Sequence, residues 1–95
     1  MNIVFDILAS FFAGAFITNF IPHFVQGICG RQNQVPWSKN ASAQVNVCWG
    51  TANLIIGLLI IHFTALPLAF YTVAAAILGG FVLALRLAKA FAKTE

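Results

Sequence analysis

The sequence predicts an all-α fold, a bundle of three membrane-spanning helices, and three observations predict it. The composition is 61% hydrophobic and only 7% charged, far from the averages of soluble domains. Residues 3–28, 43–66 and 68–85 form three apolar stretches whose one charged side chain is Asp6. Each can supply the ~20 residues a helix needs to cross a hydrocarbon core ~30 Å thick. Finally, the Lys and Arg residues fall into two groups, Arg31 with Lys39 and Arg86 with Lys89 and Lys93, and none lies between the second and third stretches. The predicted organisation is one integral membrane domain over residues 1–95, with spans of approximately 3–28, 43–64 and 68–89.

Three spans put the first connection and the C-terminus on one side of the membrane. The positive-inside bias assigns that side to the cytoplasm and the N-terminus to the outside. The first stretch does not read as a cleavable leader, because Asp6 stands where a positive n-region is expected and the apolar run is too long. The net charge of +3 reads as topology and contact with anionic lipid. A nucleic-acid partner is not expected, since that role needs a basic surface in water. Arg31, Lys39, Arg86, Lys89 and Lys93 are the expected headgroup contacts, the last three forming one helical stripe at i, i+3 and i+7.

Along the first span, Phe12, Phe16, Phe20 and Phe24 recur every four residues as an aromatic stripe. Ser10, Gly14, Thr18 and Pro22 recur in the same way on the far side, a small face that allows close approach of a second backbone. Asn19, His23 and Gln26 form a polar row beside it. Pro22 removes one backbone hydrogen bond where that row begins, so the helix is expected to kink or loosen there. Gly27 and Gly30 favour an end before Arg31.

The connection Arg31–Ser42 reads as a short loop. Cys29 and Cys48 flank it in a compartment that keeps thiols reduced, so no disulfide is expected. They lack the CxxC spacing of a metal or redox site, and no metal or cofactor is expected. The sequon Asn40-Ala41-Ser42 lies on the wrong side of the membrane to be glycosylated.

The second span places Asn46, Gly50, Asn53 and Gly57 on one face. From the helical rise, Asn19 lies ~16 Å and Asn53 ~15 Å from the same membrane surface. Antiparallel packing of the first two spans should therefore set Asn19 opposite Asn53, and His23 or Gln26 near Asn46. In the third span Thr72, Ala76, Gly80, Ala84 and Ala88 make a small-xxx-small ladder with Ala75 and Gly79 beside it. The expected packing positions are Gly14, Gly50, Gly57, Ala76, Gly80 and Ala84. His62 falls at the opposite membrane face, beside an apolar turn containing Pro67.

The segments Asn19-x-x-Pro22-His23-Phe24-x-x-Gly27-x-x-Gly30-Arg31 and Asn46-Val47-x-Trp49-Gly50-x-x-Asn53 resemble a group of small bacterial integral membrane proteins without an assigned activity. The resemblance runs from the start of the chain to a little beyond Asn53. It implies a bacterial inner-membrane setting and carries over no catalytic or ligand residues.

The polar cluster Asn19, His23, Gln26, Asn46 and Asn53 admits two readings. Intramembrane polar groups are costly to bury and mark functional sites, and imidazole can pass a proton or hold a cation. Amide and imidazole side chains also hydrogen-bond across helices as glue. No catalytic set is present: there is no Ser/His/Asp arrangement, paired carboxylate or phosphate loop, and the only acids are Asp6 and Glu95. Small multidrug exporters of similar length use four spans and a buried Glu in the first, and this chain has neither. The expectation is a non-enzymatic structural or accessory membrane component, a homo-oligomer or the partner of another membrane protein. The alternative is an oligomeric channel or transporter for a small solute or ion.

Overall fold

The computed structural model describes residues 2–92. In chain order the elements are α1 (Ile3–Ile28), β1 (Asn33–Val35), β2 (Ser38–Ala41), α2 (Ala43–Thr64) and α3 (Phe70–Phe91). All three helices are long and apolar enough to cross a membrane. The 42 Å long axis of the molecule matches a bilayer with its headgroups, ~40–45 Å.

Local chemistry sets the ends of α1. Asn2 Oδ1 accepts the Phe5 N–H at 2.9 Å, capping an orphan donor of the first turn. At the far end Gly30 adopts φ +73°. Its N–H donates to the Gly27 carbonyl and the Arg31 N–H reaches back to Gln26, which is the Schellman pattern. The helix passes through Pro22 as a continuous α element.

The expected Arg31–Ser42 loop is instead an antiparallel β-hairpin, pairing Asn33 with Ala41 and Val35 with Ser38. Pro36 sits at the first central position of the turn, where its fixed φ suits the chain reversal. Val35 and Asn33 point inward and are buried. An isolated two-stranded hairpin is marginal in water, and this one lies against α1 and α2.

α2 starts at Ser42, whose hydroxyl accepts the Val45 N–H at 3.2 Å, and ends in a second Schellman pattern. Here the left-handed position is filled by Ala65, φ 51°, with the Ala65 N–H on His62 and the Leu66 N–H on Ile61. α3 begins two residues later than expected. Pro67 biases Leu66 away from helical backbone, and Thr72 Oγ1 accepts the Ala69 N–H at 3.1 Å, fixing the first turn at Phe70.

α1 is the axis of the bundle. It packs along both other helices, whereas α2 and α3 meet at most at their margins. Gly50 and Gly57 of α2 lie against Phe20, Phe24, Ala13 and Ile17 of α1, while Gly79 and Gly80 of α3 lie against Phe11 and Thr18. At 100° per residue, the two helices seat ~120° apart around α1. The expected packing glycines Gly14, Gly50, Gly57 and Gly80 are all at these seams, and Ala76 meets Gly14 through its backbone.

Within the chain, α1 covers only part of the α3 ladder. Thr72, Ala75, Gly79 and Gly80 are buried, but Ala84 and Ala88 are exposed. A strict four-residue repeat drifts ~40° per step, ~160° over five positions, so it leaves a straight neighbour partway along. The contact stripe follows an alternating three-and-four spacing instead, which brings in Ala75 and Gly79 and turns Ala84 outward.

Candidate functional site

The polar side chains gather at the hairpin end of the bundle. Asn53, 1% exposed, donates from Nδ2 to the Trp49 carbonyl one turn earlier at 2.8 Å. That bond orients the amide, so Oδ1 faces α1 and accepts Asn19 Nδ2 at 3.0 Å. The pairing expected from matched depths is present.

Asn46 is fully buried, 0% exposed, and does more than join two helices. Its Nδ2 lies 3.1 Å from the Asn33 carbonyl, 3.2 Å from Ala41 and 3.1 Å from Ser42. It thus holds the ends of both hairpin strands to the start of α2. Its Oδ1 faces His23 Nδ1 at 2.9 Å. Because the three carbonyls demand the amide donor, Oδ1 is the group left for His23, and Oδ1 can only accept. His23 Nδ1 therefore carries the proton, and in the neutral ring Nε2 holds the bare lone pair and points away from Asn46.

Gln26 does not join this cluster. It lies three residues beyond His23 within α1, and its Oε1 accepts Arg31 Nη1 at 3.4 Å instead. His23 is 3% exposed, enclosed by Asn46 and Trp49 of α2 and Phe91 of α3. The ring packs edge-on to Phe91, centroids 5.7 Å apart, and to Trp49 at 6.5 Å. Trp37 in turn packs edge-on to Trp49 at 5.3 Å.

Beside His23 lies a cavity of about 300 Å³, lined on its polar side by Asn19, His23, Gln34, Trp49 and Arg86. The remainder of the wall is apolar, from Val35, Pro36, Leu83, Leu87, Ala90 and Phe91. Two polar atoms of its lining residues are buried without a partner, Trp49 Nε1 and Asn19 Oδ1. Orphaned buried groups are uncommon and call for an explanation. A second cavity, about 290 Å³, sits at the other end among Ser10, Ile61, Pro67 and Thr72, and its lining is almost wholly apolar.

The expected headgroup contacts distribute as follows. Arg31, Lys39, Arg86 and Lys89 are exposed, and Arg86 alone of these lines the polar cavity. Lys93 lies outside the described residues. Cys29 and Cys48 are free and exposed. Among the described residues no three potential metal ligands come together.

The hairpin and its anchor Asn33 were not visible as a site in the sequence. The one available signal was Pro36 between short runs that could pair. The fold and the site define a three-span helical membrane protein with an internally bonded polar cluster at one end. No family model, curated protein or solved structure matches the chain.

Proposed function

We propose that this chain is a non-enzymatic component of a membrane assembly, a structural or accessory subunit that associates through helix packing. The observation that carries this reading is the direct bonding of the intramembrane polar groups to each other and to the backbone. Asn19 bonds Asn53, His23 bonds Asn46, and Asn46 holds the hairpin. Such pairs specify which helices meet and in what register. Beyond them, α2 and α3 leave their outer faces exposed, and Ala84 and Ala88 on α3 are small, exposed positions where another helix can approach. The setting in this reading is a bacterial inner membrane, with the hairpin and the C-terminus of α3 in the cytoplasm and the N-terminus outside.

The test is the assembly mass of the protein in native-membrane nanodiscs. An oligomer or a stoichiometric complex is expected, reduced to single chains by Ala84→Leu with Ala88→Leu. A wild-type protein found only as a lone chain overturns the proposal. The second reading, a channel or transporter lined by Asn19, His23, Asn46 and Asn53, is favoured by the cavity beside His23 and Asn19. It requires solute-dependent flux in proteoliposomes that is abolished by Asn19→Leu.

A further inference from the structure

We propose that the cavity between α1, the hairpin and the C-terminal half of α3 is a binding site for a polyol phosphodiester headgroup, such as that of phosphatidylglycerol. The donor and acceptor inventory of its wall carries the assignment. Arg86 is the one cation of the lining, and a planar guanidinium suits a phosphate oxyanion. His23 has its proton on Nδ1, held by Asn46, which leaves Nε2 as an acceptor. An acceptor in a pocket that also attracts an anion calls for a ligand carrying a hydroxyl proton close to its negative charge.

Charge and shape agree with this assignment. Among the described residues the one carboxylate is Asp6, near the opposite end of α1, so no described acid opposes an anion at the cavity. The volume of about 300 Å³ equals about ten waters at ~30 Å³ each, room for a headgroup and not for acyl chains. The apolar wall of Leu83, Leu87, Ala90 and Phe91 offers the chains a surface to lie along where they leave the headgroup. A choline headgroup shares the phosphate but brings a cation and no hydroxyl, and leaves His23 unmatched.

The experiment uses the full chain with Trp37→Phe, which leaves Trp49 as the one indole and replaces a ring that is 64% exposed by another ring. Trp49 emission is titrated with dihexanoyl phosphatidylglycerol, dihexanoyl phosphatidylcholine and free glycerophosphoglycerol. A saturable change with phosphatidylglycerol is expected, at least ~10-fold tighter than with phosphatidylcholine, whose choline offers His23 Nε2 no hydroxyl and sets a cation beside Arg86. Arg86→Gln should weaken it by a similar factor, while Lys89→Gln, on an exposed cation outside the cavity, should leave it unchanged. Binding of glycerophosphoglycerol with comparable affinity identifies a soluble polyol phosphodiester as the source, and binding of the acylated form alone identifies the lipid. Equal affinity for the two lipids, equal effects of the two cation substitutions, or no saturable change with any probe overturns the assignment. The comparison of lipids on the wild-type cavity stands even if Arg86→Gln fails to fold.

Discussion

Both seams of α1 bring backbones together at glycines, and among the described residues the α2 seam alone adds hydrogen bonds between helices. Against α2, Asn53 and Asn46 reach across to Asn19 and His23, so direction and register come from hydrogen bonds of defined geometry. Against α3, the close approach rests on missing side chains. A Cβ on Gly79 would collide with the Phe11 carbonyl, and one on Gly14 would collide with that of Ala76. In lipid no hydrophobic drive separates helix contacts from tail contacts, so attraction comes from dispersion at short range or from polar bonds. Glycines bring backbone close at the first seam too, Gly50 against Phe20 and Phe24, but a Cβ would meet backbone less closely there than at Gly14 or Gly79 of the second.

The sharpest way to break this contrast is at Gly79. Gly79→Val should destabilise the fold by about 3 kcal/mol, the upper end of overpacking costs, read as a lowered unfolding midpoint in mild detergent. Phe81→Leu, on the exposed side of the same turn, should leave the midpoint unchanged. If Gly79→Val behaves like Phe81→Leu, the backbone contact does not hold α3.

Next in size is Asn46→Leu. It removes the donor that three carbonyls share and the acceptor for His23, and leaving such buried groups unpaired should cost about 2 kcal/mol. Hydrogen exchange should show the effect first in Asn33–Val35 and Ser38–Ala41. Loss of protection spread evenly over α1 would mean that Asn46 is not the anchor of the hairpin.

A smaller effect of opposite sign is expected at the distal connection. Ala65 holds a left-handed backbone, φ 51°, that costs an L-residue ~1–2 kcal/mol. Ala65→Gly should therefore stabilise by about 1 kcal/mol, and Gly30→Ala, at the equivalent position of α1, should destabilise by as much. A shift of the same sign in both would refute the shared motif. The smallest effect belongs to the Asn19–Asn53 pair. A double-mutant cycle to Ala should return a coupling of about 0.6 kcal/mol, the mean for interhelical pairs in membranes. A value near zero would leave register to the glycines alone.

Much of this was legible along the chain. The end of α1 follows from Gly30, and the Asn19–Asn53 contact follows from counting residues inward from the connection between spans. Less legible was the choice between His23 and Gln26. Both lie on the same row, and helical spacing alone does not show which of them meets Asn46 and which lies beside Arg31. The four-residue ladder on α3 carries Ala84 away from α1 for a geometric reason, since that spacing winds around the helix while its neighbour does not.

What the sequence determined by itself is therefore local or one-dimensional. It set three spans, because a run of apolar residues long enough to cross a bilayer satisfies its backbone only as a helix. It set the end of α1 too, because Gly30 acts on the backbone within a few bonds. The tertiary structure alone decided that α1 is the axis and that the first connection is a hairpin pinned by Asn46. It also decided that Trp49, Arg86, Asn19 and His23 share one cavity. Those outcomes depend on distances between residues far apart in the chain, and they follow from which surfaces can approach closely enough to bond or pack.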